Sequence, residues 1–247
     1  MSDIKPTDQM IIRSERLTVQ IAKPGTVYKG ARFDWTGFIT QVILDGEYDF
    51  CIPESLKEGQ GSGGIGLCNE FGIDVPIGYD EVKPGELFPK PGIGLLRKVD
   101  EEPYSFGYPY EIVQPFPVQV EAFADGAVFM VNPLDCAGYA FRLVKTLRVC
   151  ANELTITYCL ENTGSKVLDT LEYCHNFVAF NRQPVGSGYV LKMPYAVEKV
   201  SGEGGGWFLS FLRKLFGRTS PDDPIKNLIL RGNSIRFRSF DQGSFYL

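Results

Sequence analysis

Between Glu111 and Phe177, apolar and β-branched residues recur at roughly every second position, interrupted only by short turn sequences. A period of two belongs to strands with one buried face, and connections this short join antiparallel neighbours. Glu111 to Phe123 leads through Asp125-Gly126 into Ala127 to Asn132. Tyr139 to Val149 places Phe141, Leu143, Leu147 and Val149 on one side, and Arg142, Thr146 and Arg148 on the other. Ala151-Asn152 turns the chain into Leu154, Ile156, Tyr158 and Leu160, and Asn162-Thr163-Gly164 turns it again into a strand around His175. This succession predicts an all-β protein built on antiparallel sheet. Twenty-seven glycines, 16 prolines and 13% aromatics point the same way, towards turns and strands rather than a helical bundle.

The flanks extend the pattern. Met10 to Ile21 reads as one or two opening strands, broken at Lys23-Pro24-Gly25. Phe38 to Leu44, Asp45-Gly46 and Glu47 to Ile52 predict a hairpin, because an Asp-Gly pair suits the positive φ angles of a type I′ turn. Tyr189 to Tyr195, Leu228 to Arg231 and Ser234 to Phe240 add strands, the last two joined at Gly232-Asn233. Residues 53–110 differ: they are rich in Gly, Pro and charge, with brief apolar runs around Gly66 to Ile73 and Phe88 to Arg97. Long, weakly patterned segments inside a domain often build a site, and that is the expectation here. Gly204 to Arg218 carries the one helical pattern of the second half, predicting a short helical insertion near 205–217 as a lid or docking helix, with a membrane-surface helix the lesser alternative.

Composition narrows the function classes. A net charge of −5 argues against nucleic acid as a partner. Six cysteines without a CxxC pair and a single histidine argue against a zinc site, and no cofactor is expected. No run reaches the ~18 apolar residues of a membrane-spanning helix. Met1 to Gln9 lacks the layout of a secretion signal, so the expected location is the cytoplasm, with reduced thiols. Whether the chain is a monomer or a homodimer stays open.

The only histidine, His175, stands between Tyr173 and Phe177 on one strand face, with Glu172, Cys174 and Asn176 on the other. That placement fits a proton-transfer group on a ligand-binding face, or a core imidazole satisfied by one hydrogen bond. Arg32 and Asp34 share a strand face beside Trp35, which suits hydroxyl recognition with ring stacking, or a local ion pair beside a core tryptophan. Glu70 follows a Gly-rich approach and is either a ligand-facing base or a solvated loop carboxylate. Lys90 and Arg97 flank an apolar run as hydroxyl donors or as surface charges, while Asn176 and Asn181 either orient a ligand or cap a loop.

The block LRVCANELTITYCLENTGSKVLDTLEYCHNF within Arg142 to Phe177 resembles the galactose mutarotase (aldose 1-epimerase)-like superfamily, in which an Asn-Thr-Gly turn leads to a strand ending in His and an aromatic. The phrases YKGARFDWTGFITQVILDG, GLCNEFGID and PKPGIGLLRK look like those of bacterial members, and the likeness spans roughly residues 28 to 200. The resemblance implies one large antiparallel β-sandwich domain, 1–247, with a concave face that binds a small-molecule carbohydrate. It also implies an isomerase that interconverts α and β anomers of an aldose by general acid–base ring opening, with His175 as general acid. The family's catalytic glutamate lies near the C-terminus, and no matching motif precedes Leu247, which leaves open whether the chain is truncated or naturally short. Glu70 is then the substitute base, and Arg32, Asp34, Trp35, Lys90, Arg97 and Asn176 are the substrate-binding candidates. A non-catalytic sugar-binding protein is the competing expectation. A two-carboxylate glycosidase is less favoured, because it needs a suitably spaced acid pair.

Overall fold

The computed structural model describes residues 5–57, 59–184, 186–196 and 228–237. It is 45% strand and 4% helical, with only three-residue helical turns. The strands in chain order are β1 (Gln9–Arg13), β2 (Leu17–Ala22), β3 (Phe38–Leu44), β4 (Tyr48–Asp49), β5 (Leu67–Phe71), β6 (Leu87–Lys90), β7 (Gly94–Arg97) and β8 (Ile112–Pro115), then β9 (Val118–Phe123), β10 (Gly126–Val131), β11 (Phe141–Cys150), β12 (Glu153–Asn162), β13 (Glu172–Asn176), β14 (Val190–Lys192), β15 (Leu228–Arg231) and β16 (Ser234–Phe237). The chain divides into two compact units, 1–182 and 183–247, each described by itself.

The first unit holds three antiparallel sheets, with strand orders β1-β2-β3-β5-β13 (β4 on β3), β12-β11-β10-β9 and β6-β7-β8. The first two face each other. Ile12, Leu17, Val19, Ile21 and Ile39 from one sheet bury against Ala127, Phe129, Leu147 and Val149 from the other. That interdigitation of inward residues makes a β-sandwich. A second cluster around Phe71, Phe116, Val131, Phe141 and Leu143 continues the core, and a third gathers Tyr79, Phe88, Leu96 and Tyr110 against the β6-β7-β8 sheet. Phe129 has no exposed surface, and burying such a ring is worth about 1.5–3 kcal/mol.

The two Asp-Gly pairs behave differently. Asp45 and Gly46 have φ angles of 53° and 71°, and the Glu47 N–H donates to the Leu44 carbonyl, as a type I′ turn requires. At the second pair, Ala124 and Asp125 form the turn and Gly126 already pairs with Phe123 in the ladder. Gly126 is there for space: a Cβ would lie 2.7 Å from the Leu147 carbonyl oxygen of β11. The strand around His175 is also shorter than the expected Leu171 to Asn181 run. It pairs over Glu172–Asn176, after which the chain bends into a 3-10 turn at Phe180–Arg182.

In the second unit, β14, β16 and β15 form a three-stranded antiparallel sheet, with the turn at Gly232-Asn233 as expected. The helical insertion expected near 205–217 lies outside the described residues.

Candidate functional site

The register of β13 on β5 sets the site. Glu70 lies opposite Tyr173 and Cys68 opposite His175, while Asn69 lies opposite Cys174. Residues directly opposite in an antiparallel pair share a face, so Cys68, Glu70, Tyr173 and His175 project together. The segment 32–36 runs beside β5, tied by the Asp34 N–H to the Asn69 carbonyl. Lys90 arrives at the end of β6, and the connection from β7 to β8 carries Tyr104 and Phe106.

These elements converge on a buried carboxylate. Glu70 has 0% exposure and accepts hydrogen bonds from Arg32 Nε at 2.9 Å and Lys90 Nζ at 3.3 Å. Lys90 Nζ also donates to the Tyr104 hydroxyl. On the other side of Arg32, Nη1 donates to Ser62 Oγ at 2.9 Å and lies 3.6 Å from Glu54, whose carboxylate accepts from the Ser62 hydroxyl. The guanidinium lies over the Phe33 and Phe106 rings, 4.6 and 4.4 Å from their centroids. Nη2 of Arg32 is buried without a hydrogen-bond partner. Tyr104, Phe106, Tyr173, Ser62 and Glu54 are half-buried, so the cluster opens to solvent along their side.

His175 stands in the aromatic wall, with ring centroids of Phe177, Tyr173 and Phe33 at 4.4, 5.3 and 6.0 Å. It is 6% exposed, and its Nδ1 is the second buried polar atom of the site without a partner. Burial and then the Arg32 charge push its pKa down to about 4, against a small opposing pull from Glu54. The imidazole is therefore neutral at pH 7. Burial also draws the Lys90 ammonium down to about 8, with Arg32 adding to the shift and Glu70 opposing it. Burial, and next the Glu70 charge, raise the Tyr104 phenol.

The residues expected from sequence separate into groups. Arg32, Glu70, Lys90 and His175 come together. Glu70 is no solvated loop carboxylate, but with both oxygens turned to cations it is poorly placed to take a ligand proton. His175 meets the site as a neutral ring, which does not match an imidazolium donor. Arg32 and Asp34 do not share a strand face: residues 32–36 have no strand structure, and Asp34 joins a separate cluster with Thr36, Lys145 and Tyr158. The indole of Trp35 donates to the Gly30 carbonyl and packs on the Tyr79 cluster. Arg97 is away from the site, paired with Glu111 at 2.8 Å. Asn176 is exposed on the face opposite His175, and Asn181 accepts from the Asp49 N–H as a loop cap. Glu172 points away from His175 as expected, accepting from Asn69 Nδ2 at 2.6 Å.

Glu54, Ser62, Tyr104 and Phe106 were missed. Tyr104 and Phe106 belong to an alternating run with Tyr108 and Tyr110, a local signal inside the otherwise weakly patterned residues 53–110. Among the described residues no helix is long and apolar enough to cross a membrane, and no group of three or more His, Cys, Asp or Glu side chains is placed to hold a metal. No family model, curated protein or solved structure matches the chain.

Proposed function

We propose that this site binds a carbohydrate and interconverts the α and β anomers of an aldose. The observation that carries the reading is the pair of partnerless buried atoms, Arg32 Nη2 and His175 Nδ1, set among the rings of Phe33, Phe106, Tyr173 and Phe177. An unsatisfied buried donor or acceptor costs about 1–3 kcal/mol. Both atoms are buried, so a ligand hydroxyl reaches them only as the half-buried rings of Phe106 and Tyr173 give way; it then relieves that cost, and the rings supply apolar surface for the C–H faces of a sugar. The charges also suit a neutral ligand, since Arg32 and Lys90 face Glu70 and Glu54. The resemblance of the Asn-Thr-Gly to His block to mutarotase-like sequences supplies the reaction. Dissolving fresh α-D-glucose or α-D-galactose with the protein and following the anomers by NMR tests it. Exchange above the buffer rate is expected, and exchange at the buffer rate for every common aldose refutes catalysis.

A second reading is a sugar-binding protein without turnover. The observation favouring it is Glu70, the one fully buried carboxylate of the site, held by two cations rather than facing a ligand. Sugar binding that survives His175→Asn, with no anomer exchange in either protein, selects this reading.

A further inference from the structure

We propose that β12 is the contact edge of a symmetric dimer, pairing antiparallel with β12 of a second copy of this chain about a two-fold axis at Tyr158. A sheet edge is a row of unmet N–H and C=O groups, and proteins blunt such rows with short strands, prolines, bulges or charges. Two other edges of the sandwich are blunted in this way. β1 is five residues long. β9 is six, entered through Pro115 and Pro117 and closed off where the Arg13 N–H meets the Ala124 carbonyl. β12 runs for ten residues in unbroken register with β11, has no proline or basic residue, and carries charge only at Glu153 and Glu161. Among the described residues no strand pairs with its outer edge. Its inward row is unfinished too: Leu154, Ile156 and Leu160 are half-buried, while their β11 partners Val149, Leu147 and Leu143 are sealed.

A second copy fits this edge because the pattern is self-complementary. The two-residue turn at Ala151-Asn152 closes on Cys150 and Glu153, a hydrogen-bonded pair. By alternation, the backbone groups of Leu154, Ile156, Tyr158 and Leu160 point away from β11. An axis at Tyr158 sets that residue opposite itself, Ile156 opposite Leu160, and Thr157 opposite Cys159, so the inward apolar row continues across the junction.

Charge selects the same register. Arg142 lies opposite Glu161 and Arg148 opposite Thr155. With the axis at Tyr158, one outer row reads Arg142 and Glu161, then Thr155 and Arg148 of the second copy. Each Glu161 stands between its own Arg142, 3.9 Å away, and an Arg148 two strand spacings off, about 10 Å along the sheet. An axis at Thr157 would instead set Glu153 against Glu161 twice, and like charges directly opposite are destabilising. The contact is one strand long, at the small end of specific interfaces, so the dimer is reversible and concentration-dependent.

Thr157→Cys reads the register directly. Position 157 and Cys159 of the second copy form a non-hydrogen-bonded pair, whose Cα separation of ~4.5 Å suits a disulfide. Mild oxidation of this variant is expected to give a covalent dimer on non-reducing gels, with the link between position 157 and Cys159 found by peptide mapping. Sedimentation equilibrium of the wild type is expected to show monomer–dimer exchange. Glu161→Arg, an exposed substitution that places a third cation in the row, is expected to weaken it ~10-fold or more, with the circular dichroism spectrum unchanged. The proposal is overturned by a wild type that stays monomeric up to its solubility limit, or by assemblies that grow beyond the dimer. A Thr157→Cys protein without the link to Cys159, or a Glu161→Arg protein that dimerises as well as wild type, overturns it equally.

Discussion

Two buried ionic clusters lie on opposite faces of β5, and they are finished to different degrees. On the Asn69 face, Asp34 accepts from the Thr36 N–H and hydroxyl at 2.7 and 2.6 Å and from the Tyr158 hydroxyl at 2.9 Å. Lys145 reaches the Thr36 carbonyl at 2.9 Å and Asn69 Oδ1 at 3.2 Å, with Asp34 3.6 Å away. Both charges are sealed and neither has an unpaired atom. On the Glu70 face, the same chemistry leaves Arg32 Nη2 and His175 Nδ1 without partners and meets solvent through half-buried rings. A closed cluster fits a role in holding 32–36 against the sandwich. An open one leaves hydrogen-bonding capacity for a ligand.

The closed cluster is expected to be the costlier to break. Asp34→Ala leaves the Lys145 ammonium buried and uncompensated, a loss of about 3–5 kcal/mol, read from urea unfolding. Glu70→Gln is expected to cost less, about 1–3 kcal/mol, because glutamine keeps a hydrogen-bonding group in place and Arg32 keeps Ser62 and Glu54. Equal losses in the two variants would erase the distinction between the clusters.

Next in size is an acid effect. His175 has a folded pKa of about 4 against an ordinary value of 6.5. The unfolded chain therefore binds the proton more readily between those values. Stability from this residue is fully present above pH 6.5 and is lost as pH falls towards 4, by about 3 kcal/mol in all. Other groups titrate in the same window, so the measurement is the difference between wild type and His175→Gln in urea midpoints at pH 7 and pH 4. A difference that does not change with pH would mean that the imidazole is hydrogen-bonded or solvated in solution, and the open cluster would lose one of its two free atoms.

The contrast also explains what could be read from sequence. Alternation exposed nearly every strand of the sandwich, because residues such as Phe141, Leu143, Leu147 and Val149 obey a local period. Lys145 occupies the same inward side, and nothing local says whether a cation there is an exception or half of a pair. Its partners, Asp34 and Asn69, lie 111 and 76 residues away in sequence. The same holds for Arg32 and Glu70. Each was legible as a charged residue in an aromatic setting, but their meeting depends on how 32–36 lies along β5. The expected companionship of Arg32 and Asp34 failed for a related reason. Without strand geometry, i and i+2 need not share a face, and each side chain found its counter-charge on a different side of β5.

Phe106 offers the smallest and most local test of the difference between the clusters. Its ring centroid lies 4.4 Å from the Arg32 guanidinium and that of Phe33 4.6 Å. Phe33 is wholly buried and Phe106 is half-buried, next to Gly107 in the connection from β7 to β8. Removing a partly solvated cation–π contact is worth about 0.5–1 kcal/mol, so Phe106→Ala is expected to shift the urea midpoint only slightly. It also exposes the guanidinium on the side where a sugar would lie. Faster hydrogen exchange at 99–111 is expected, together with weaker retention of any bound aldose, since one of the two rings on the guanidinium is gone. The half-buried ring over Lys145, that of Tyr158 at 4.9 Å, is tied to Asp34 by its hydroxyl, and exchange of the Thr36 amide, bonded to Asp34 Oδ1, is expected to stay slow in the same variant. If Phe106→Ala instead destabilises the protein as much as Asp34→Ala, the ring is part of the core and the Arg32 cluster is as closed as its counterpart.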